Sequence, residues 1–257
     1  MVDVVIGGSQ VAMSTNIKAI LFDSGRVLNY PKSGNWFITP SFFKYVDKDV
    51  FNSISKNKKK VAFKKAYNYI NSCKLIKTQE EEYGHFIKYY NIFFKELPEL
   101  DLKTDAVKGI AKDLVYNPQK YIFFDEVVNV ISILSKKYKL GIVSDAWPSL
   151  NMVFEAAELK NYFSTFVVSS MLGATKPESI MYQTALDELG VLPENTVFID
   201  DNLKNCIGAN KLGIHSVLLC RIKFQYVLNK VFSVGKGYDV INNLHQLTKI
   251  KCMRISI

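Results

Sequence analysis

Ile17-Lys18-Ala19-Ile20-Leu21-Phe22-Asp23-Ser24-Gly25-Arg26-Val27-Leu28 is an apolar run that stops on a carboxylate. A stretch of this kind reads as a parallel strand buried on both faces. Open α/β sheets place their ligands at the carboxyl ends of such strands, which is where Asp23 stands. A second strand of the same character, Thr196-Val197-Phe198-Ile199, stops on two carboxylates, Asp200 and Asp201. Adjacent carboxylates repel, and burying them without a cation is costly. Three acids at the tips of two buried strands therefore point to a divalent metal site.

Outward from these strands the chain alternates. Residues 40 to 120 carry no strand pattern, but aromatic and apolar residues recur at helical spacing, as in Val61, Phe63, Ala66, Tyr67 and Ile70. Tyr83, Phe86, Ile87, Tyr90, Phe93 and Phe94 repeat the pattern, which predicts an insertion of four or five helices. Further on, a helix over 127–138 precedes the strand Leu140-Gly141-Ile142-Val143, which ends on Ser144 and Asp145. A helix around 149–159 leads to a strand over 165–169. Pro177 suits the first turn of a helix that reaches Leu189 and is closed by Gly190. After the Asp200 strand come a helix near 205–212, with Gly213 past its end, and a strand over 215–219. This alternation predicts an α/β fold with a doubly wound, mostly parallel, Rossmann-like sheet and an inserted α-helical domain. The expected boundaries are a leader over 1–16, an α/β core over 17–36 and 122–257, and the helical insertion over 37–121. Gly7-Gly8-Ser9 resembles a linker, and Met13 is a candidate native start.

Composition narrows the function classes. The 257 residues are 48% hydrophobic and only 22% charged, enough for a sizeable core. No apolar run approaches the roughly 18–20 residues of a membrane span, and the start lacks a secretory pattern. Cys73, Cys206, Cys220 and Cys252 stand far apart without a CxxC pair, as expected for reduced thiols in a cytoplasmic protein. The net charge of +9 is scattered apart from Lys56-Asn57-Lys58-Lys59-Lys60. A short basic run is ordinarily a solvated helix face. Neither nucleic acid nor a membrane is an expected partner, whereas a basic cast suits an anionic small substrate through steering.

Four motifs, taken in order, resemble the haloacid dehalogenase-like (HAD) hydrolase superfamily. Asp23, in Phe22-Asp23-Ser24-Gly25, is similar to its nucleophile. Ser144 is similar to the hydroxyl residue that ends the second motif strand, and Lys176, in Gly173-Ala174-Thr175-Lys176-Pro177-Glu178, to the motif lysine. Asp200-Asp201, followed by Asn205, Ala209 and Gly213, resembles the acidic fourth motif. Each motif alone is weak; the four in order, over 18–219, are specific. The subgroup resembled carries a helical cap between the first and second motifs, where the insertion lies.

The resemblance implies a chemistry. Asp23 would attack phosphorus and form an aspartyl-phosphate, dividing one slow displacement into two steps. Mg²⁺ would be held by Asp23, the Gly25 carbonyl and Asp201, with Asp200 alongside. Ser144 and Lys176 would contact the phosphoryl group, with Ser24, Arg26 and Asp145 as further substrate contacts and Asn205 supporting the acidic loop. Bland readings stand beside these. A strand-end Asp often caps a helix, Ser144 and Asn205 are ordinary turn residues, and the aromatic stripes are ordinary core. His85, His215 and His245 carry no catalytic signature.

One departure stands out. Most phosphatases resembling this chain carry a second Asp two residues after the nucleophile, as general acid and base; here Gly25 stands there. A carbonyl ligand survives the change, but a proton donor contributing about 10²–10⁴-fold does not. Another group supplies the proton, or the leaving group is good enough to need little, or the protein binds a phosphorylated ligand without efficient turnover. The expected function is a Mg²⁺-dependent phosphatase for a small phosphorylated metabolite. The alternatives are a binding or regulatory protein on a degenerate hydrolase fold, and a carbon–halogen hydrolase, which needs no metal and so leaves the Asp pair unexplained. The loop 29–36, with Pro31, Ser33 and Gly34, suits a hinge that moves with the cap, and Trp36 and Trp147 are candidates for the site entrance. The run over 221–237 receives no function.

Overall fold

The computed structural model describes residues 16–250; apart from Asn16, the expected leader lies outside them, as does Cys252. Eight strands are formed: β1 Ala19–Phe22, β2 Asn29–Pro31, β3 Tyr121–Phe123, β4 Lys139–Ser144, β5 Thr165–Val168, β6 Thr196–Asp200, β7 His215–Leu219 and β8 Tyr238–Ile241. Six of them make one parallel sheet in the order β5-β4-β1-β6-β7-β8. The chain works outward from β1 through β4 to β5, then returns to the other flank of β1 for β6. That reversal is the topological switch point at which doubly wound sheets hold ligands. Phe22 pairs with both Ile142 and Ile199, so Asp23, Ser144 and Asp200 end their strands at nearly the same level.

The β1 strand is buried along its whole length, and its side chains alternate between two layers. Ile20 and Phe22 join Ile142 and Ile199 on one face, packed under α5 Val127–Ser135 and α6 Leu150–Ala156. Ala19 and Leu21 join Val143 and Phe198 on the other, against α8 Ser179–Leu189. The remaining helices of the α/β part are α7 Ser169–Leu172, α9 Leu203–Asn210 and α10 Lys223–Phe232.

Between β2 and β3, an antiparallel pair, lie α1 Lys48–Ser53, α2 Lys56–Ser72, α3 Gln79–Lys95 and α4 Thr104–Tyr116. The α3 helix shows why. Thr78 accepts from the Glu81 backbone while the Glu81 carboxylate accepts from the Thr78 backbone, a reciprocal cap. Three glutamates fill its first turn, Lys95 ends it, and both suit the helix dipole. Phe86, Tyr90, Phe93 and Phe94 then form a buried stripe. It joins Phe42, Ile110 and Leu114 in a core separate from those of the sheet.

Three details differ from the sequence-based expectation, the first being that Asn29–Pro31, read as part of a loop, pair with Tyr121–Phe123 as β2. Pro177 does not open α8, which begins at Ser179. It follows a cis peptide bond inside a turn closed by the Glu178 N–H donating to the Thr175 carbonyl (2.8 Å). The α9 helix starts two residues early because the Asn202 side chain accepts from the Lys204 N–H (3.0 Å) and caps it. The run over 221–237 contains α10, none of whose residues is buried. Among the described residues no helix is long and apolar enough to cross a membrane.

Candidate active site

The residues singled out from the sequence converge at the switch point. The Asp23 N–H donates to the Ile199 carbonyl (2.9 Å), which ties the end of β1 to β6. The chain then turns sharply. Leu28 and Asn29 donate their N–H groups to the Ser24 carbonyl, and Asn29 Nδ2 donates to Ser24 Oγ (2.7 Å). Within this turn Arg26 takes the left-handed conformation, with φ of 61°. The Ser24 hydroxyl is thus engaged in holding the loop, although Ser24 also lines the site cavity.

Asp23 is buried and highly connected. Ser144 Oγ donates to Asp23 Oδ1 (2.8 Å), and Lys176 Nζ lies 2.8 Å from the same oxygen. Lys176 Nζ also donates to Asp200 Oδ2 (2.7 Å). Asp200 takes further bonds from the Asn202 N–H (2.7 Å) and from Asn205 Nδ2 (3.0 Å). Asp145 Oδ1 accepts from the Lys176 N–H (2.9 Å), so Asp145 fixes the backbone that carries the lysine. Asp201 stands beside Arg26, 3.6 Å from its guanidinium, and both side chains are solvent-accessible to some degree.

One buried cation thus faces four carboxylates. Burial works against the Lys176 ammonium, but the charges of Asp23, Asp200 and Asp145 outweigh it and hold this lysine above its ordinary value. Burial and the Asp23 charge push the carboxyls of Asp200 and Asp201 up. Burial raises Asp145 as well. The cluster therefore carries more negative charge than Lys176 balances. Asp23, Asp200 and Asp201 each bring a carboxylate oxygen within 4.8 Å of the others. Because Asp200 spends both oxygens on protein donors, Asp201 and Asp23 are the acids with capacity left. A hard, all-oxygen donor set of this kind fits Mg²⁺.

Above the carboxylates opens a cavity of about 520 Å³. Its polar floor holds Asp23, Ser144, Lys176 and Asp201, while Trp36, Phe37, Tyr67 and Trp147 form aromatic walls. No histidine or glutamate lines it among the described residues. Trp36 lies directly against Gly25, where an added Cβ would come within 3.2 Å of the indole. The sequence had marked Trp36 and Trp147 as entrance candidates. It gave no sign of Phe37 or Tyr67, which reach the site only through the fold of the insertion.

A sequence profile described as haloacid dehalogenase-like hydrolase matches residues 47–219. This chain belongs to the haloacid dehalogenase-like hydrolases. The match takes in most of the helical insertion, the Ser144 and Asp200 strand ends and the turn that carries Lys176, while Asp23 precedes it. Among relatives of this hydrolase family, a glyceraldehyde 3-phosphate phosphatase of Methanothermobacter thermautotrophicus is 24% identical over 212 residues, which cover 74% of this chain and 91% of the relative. One of the same name from Pyrococcus furiosus is 27% identical over 176 residues, 66% of this chain and 70% of the relative. The fold is shared with a HAD phosphatase from Thermococcus onnurineus, at 23% identity and a TM-score of 0.61 over 93% of this chain and 100% of the other. It is shared as well with the L-2-haloacid dehalogenase of Xanthobacter autotrophicus, at 15% identity and a TM-score of 0.60 over 91% and 97%.

Proposed function

We propose that this hydrolase is a Mg²⁺-dependent phosphatase of a small phosphorylated metabolite, working through an aspartyl-phosphate on Asp23. The observation that carries this reading is the meeting of Asp23 with Asp200, Asp201, Lys176 and Ser144 at one switch point. Relatives named as glyceraldehyde 3-phosphate phosphatases support the substrate class. A carbon–halogen hydrolase shares the fold, but it needs no metal and so leaves the Asp200–Asp201 pair beside the nucleophile without an evident use.

In this reading Asp23 attacks phosphorus and the ester oxygen departs; water then attacks the acyl-phosphate and restores the carboxylate. Lys176 and Ser144, which already donate to Asp23, exchange part of that bonding for the phosphoryl oxygens. Asp145 keeps Lys176 in place, Asn205 keeps Asp200 oriented, and Ser24 and Arg26 border the incoming group. Bound through Asp23, Asp201 and the Gly25 carbonyl, with Asp200 alongside, Mg²⁺ would offset the repulsion between carboxylate and phosphoryl group. The insertion over 37–121 acts as a cap on the core over 17–36 and 122–257, since Phe37 and Tyr67 complete the cavity. Free thiols at Cys73, Cys206 and Cys220 suit a reducing, cytoplasmic setting.

Hydrolysis of p-nitrophenyl phosphate tests the reading, because that leaving group needs little protonation. Release that requires Mg²⁺, stops with EDTA and drops on the order of 10³-fold or more in Asp23→Asn is the expected result. An Asp23→Asn variant that keeps its activity would overturn the nucleophile assignment. Release that is indifferent to EDTA would overturn the role of the metal.

A further inference from the structure

The basic run that opens α2 plays no part in the site described so far. On a helix, positions 56, 60, 63, 64 and 67 share one face. In the structure that face borders a groove of about 1070 Å³, lined by Lys56, Lys60, Phe63, Lys64 and Tyr67. Arg26, Trp36, Phe37 and Tyr67 line both this groove and the cavity above Asp23, so the two spaces adjoin. The rest of the groove wall is largely apolar, with Ile38, Phe51 and Tyr89, and no acidic residue lines it among the described residues.

An ordinary solvated helix face pairs its lysines with nearby acids, and part of this run does so. Lys58 bonds Glu99 and Lys65 bonds Glu96, away from the groove. Lys56, Lys60 and Lys64 behave differently: they are exposed and form no ion pair among the described residues. Cations above an apolar floor leave two demands unmet, one for counter-charge and one for apolar contact. A single ligand with an apolar body and an anionic end meets both.

We infer that this groove is the leaving-group subsite of the phosphatase reading, on which the inference rests. The substrate would be an aromatic or otherwise apolar phosphate ester that carries a second anionic group. Its phosphate would sit over Asp23, its body between Trp36, Phe37 and Tyr67, and its second anion along α2. A rise of about 1.5 Å per residue sets Lys64, Lys60 and Lys56 about 4.5, 10.5 and 16.5 Å beyond Tyr67 along the helix axis. Where the leaving group is aromatic it also suits a site with Gly25 at that position, because an aryl oxide departs with little proton assistance.

The test compares biphenyl-4-yl phosphate with the same ester bearing a 4′-carboxylate. The carboxylate should lower KM about fivefold at low ionic strength, with kcat little changed, since each exposed charge pair contributes modestly. Added salt should erase the advantage, and in Lys60→Gln/Lys64→Gln the ratio of the two KM values should fall to about one. Equal KM values for the two esters, or a ratio that survives the double substitution, would overturn the subsite. Calorimetric titration of both esters onto Asp23→Asn in the presence of Mg²⁺ reads the same preference without turnover. Wild-type protein that hydrolyses neither p-nitrophenyl phosphate nor the biphenyl esters would therefore overturn the phosphatase reading. The affinity ratio in the titration would still decide the groove.

Discussion

An added Cβ at Gly25 would lie 3.2 Å from Cη2 and 3.3 Å from Cζ2 of Trp36. Those separations are tight enough that the indole must shift before any side chain fits at position 25. The tryptophan itself is held edge-on against Tyr121, with ring centroids 5.0 Å apart. The ring thus fills space that a side chain at position 25 would need. Gly25→Asp alone is expected to cost about 1–3 kcal/mol through overpacking and to leave turnover of alkyl phosphates low. Gly25→Asp/Trp36→Ala makes room for the carboxyl. It should raise kcat/KM for an alkyl phosphate relative to p-nitrophenyl phosphate, because only the alkoxide needs protonation. A double variant whose ratio matches that of the wild type would count against position 25 as the place from which the proposed phosphatase lacks a proton donor. Asp23 and Asp200 were legible in the sequence because each ends an apolar strand, whereas Ser144 and Lys176 stood out only through their order in a motif set that resembles the hydrolase family. Trp36 was legible only as a candidate, since its contact with Gly25 closes a loop whose path no local pattern encodes.

At the scale of elements, the joint between the helical insertion and the sheet rests on a buried polar triad. Glu82 of α3 accepts from the Ser149 N–H (2.8 Å) and from Ser149 Oγ (2.6 Å), and Lys120 Nζ donates to Ser149 Oγ (2.6 Å) and to the Leu114 carbonyl (2.7 Å). Ser149 immediately precedes α6, two residues after Trp147 in the cavity wall. Burial pulls Lys120 down to about 8, although Glu82 and Asp113 favour its charge. Burial raises Glu82 against the pull of Lys120 and Ser149. Each charge is therefore tolerated because of the other. Lys120→Met strands a buried carboxylate and should cost about 3–5 kcal/mol. Adding Glu82→Gln removes that charge while keeping an acceptor for the Ser149 N–H, and should restore at least half of the loss in urea unfolding. If the second substitution costs further stability, the triad acts through hydrogen bonding rather than charge balance. The helix carrying Glu82 was legible from its aromatic spacing. The triad was not, because its three members come from distant parts of the chain and meet only when the insertion docks.

For the whole molecule, the alternation of strands and helices revealed a doubly wound sheet but not its order. Placing β6 beside β1 rather than beside β5 depends on how helices cover the two faces, which no single segment reports. That order brings Asp200 to Asp23, so the site is a property of the whole sheet. The insertion is a different case, since its buried aromatics form a core distinct from those of the sheet. Phe93 lies wholly inside that core, 4.5 Å from the ring of Phe63 and 5.0 Å from that of Phe94. Phe93→Ala should cost the insertion about 3–5 kcal/mol. If residues 37–121 open as their own cooperative unit, amide exchange should quicken across α2, α3 and α4 while β1, β4 and β6 keep their protection. Uniform acceleration through the sheet would mean that the boundaries at 37 and 121 divide the sequence but not the folding. The same variant separates binding from chemistry. Phe37 stacks on Tyr89 at 4.9 Å, and Phe86 meets Trp147 at 5.1 Å, so a loosened insertion slackens the aromatic walls while leaving Asp23 and Ser144 at their strand ends and Lys176 in the turn before α8. A rise in KM for aryl phosphates that exceeds any fall in kcat is the expected outcome. A fall in kcat at unchanged KM would mean that the insertion positions the reacting groups themselves.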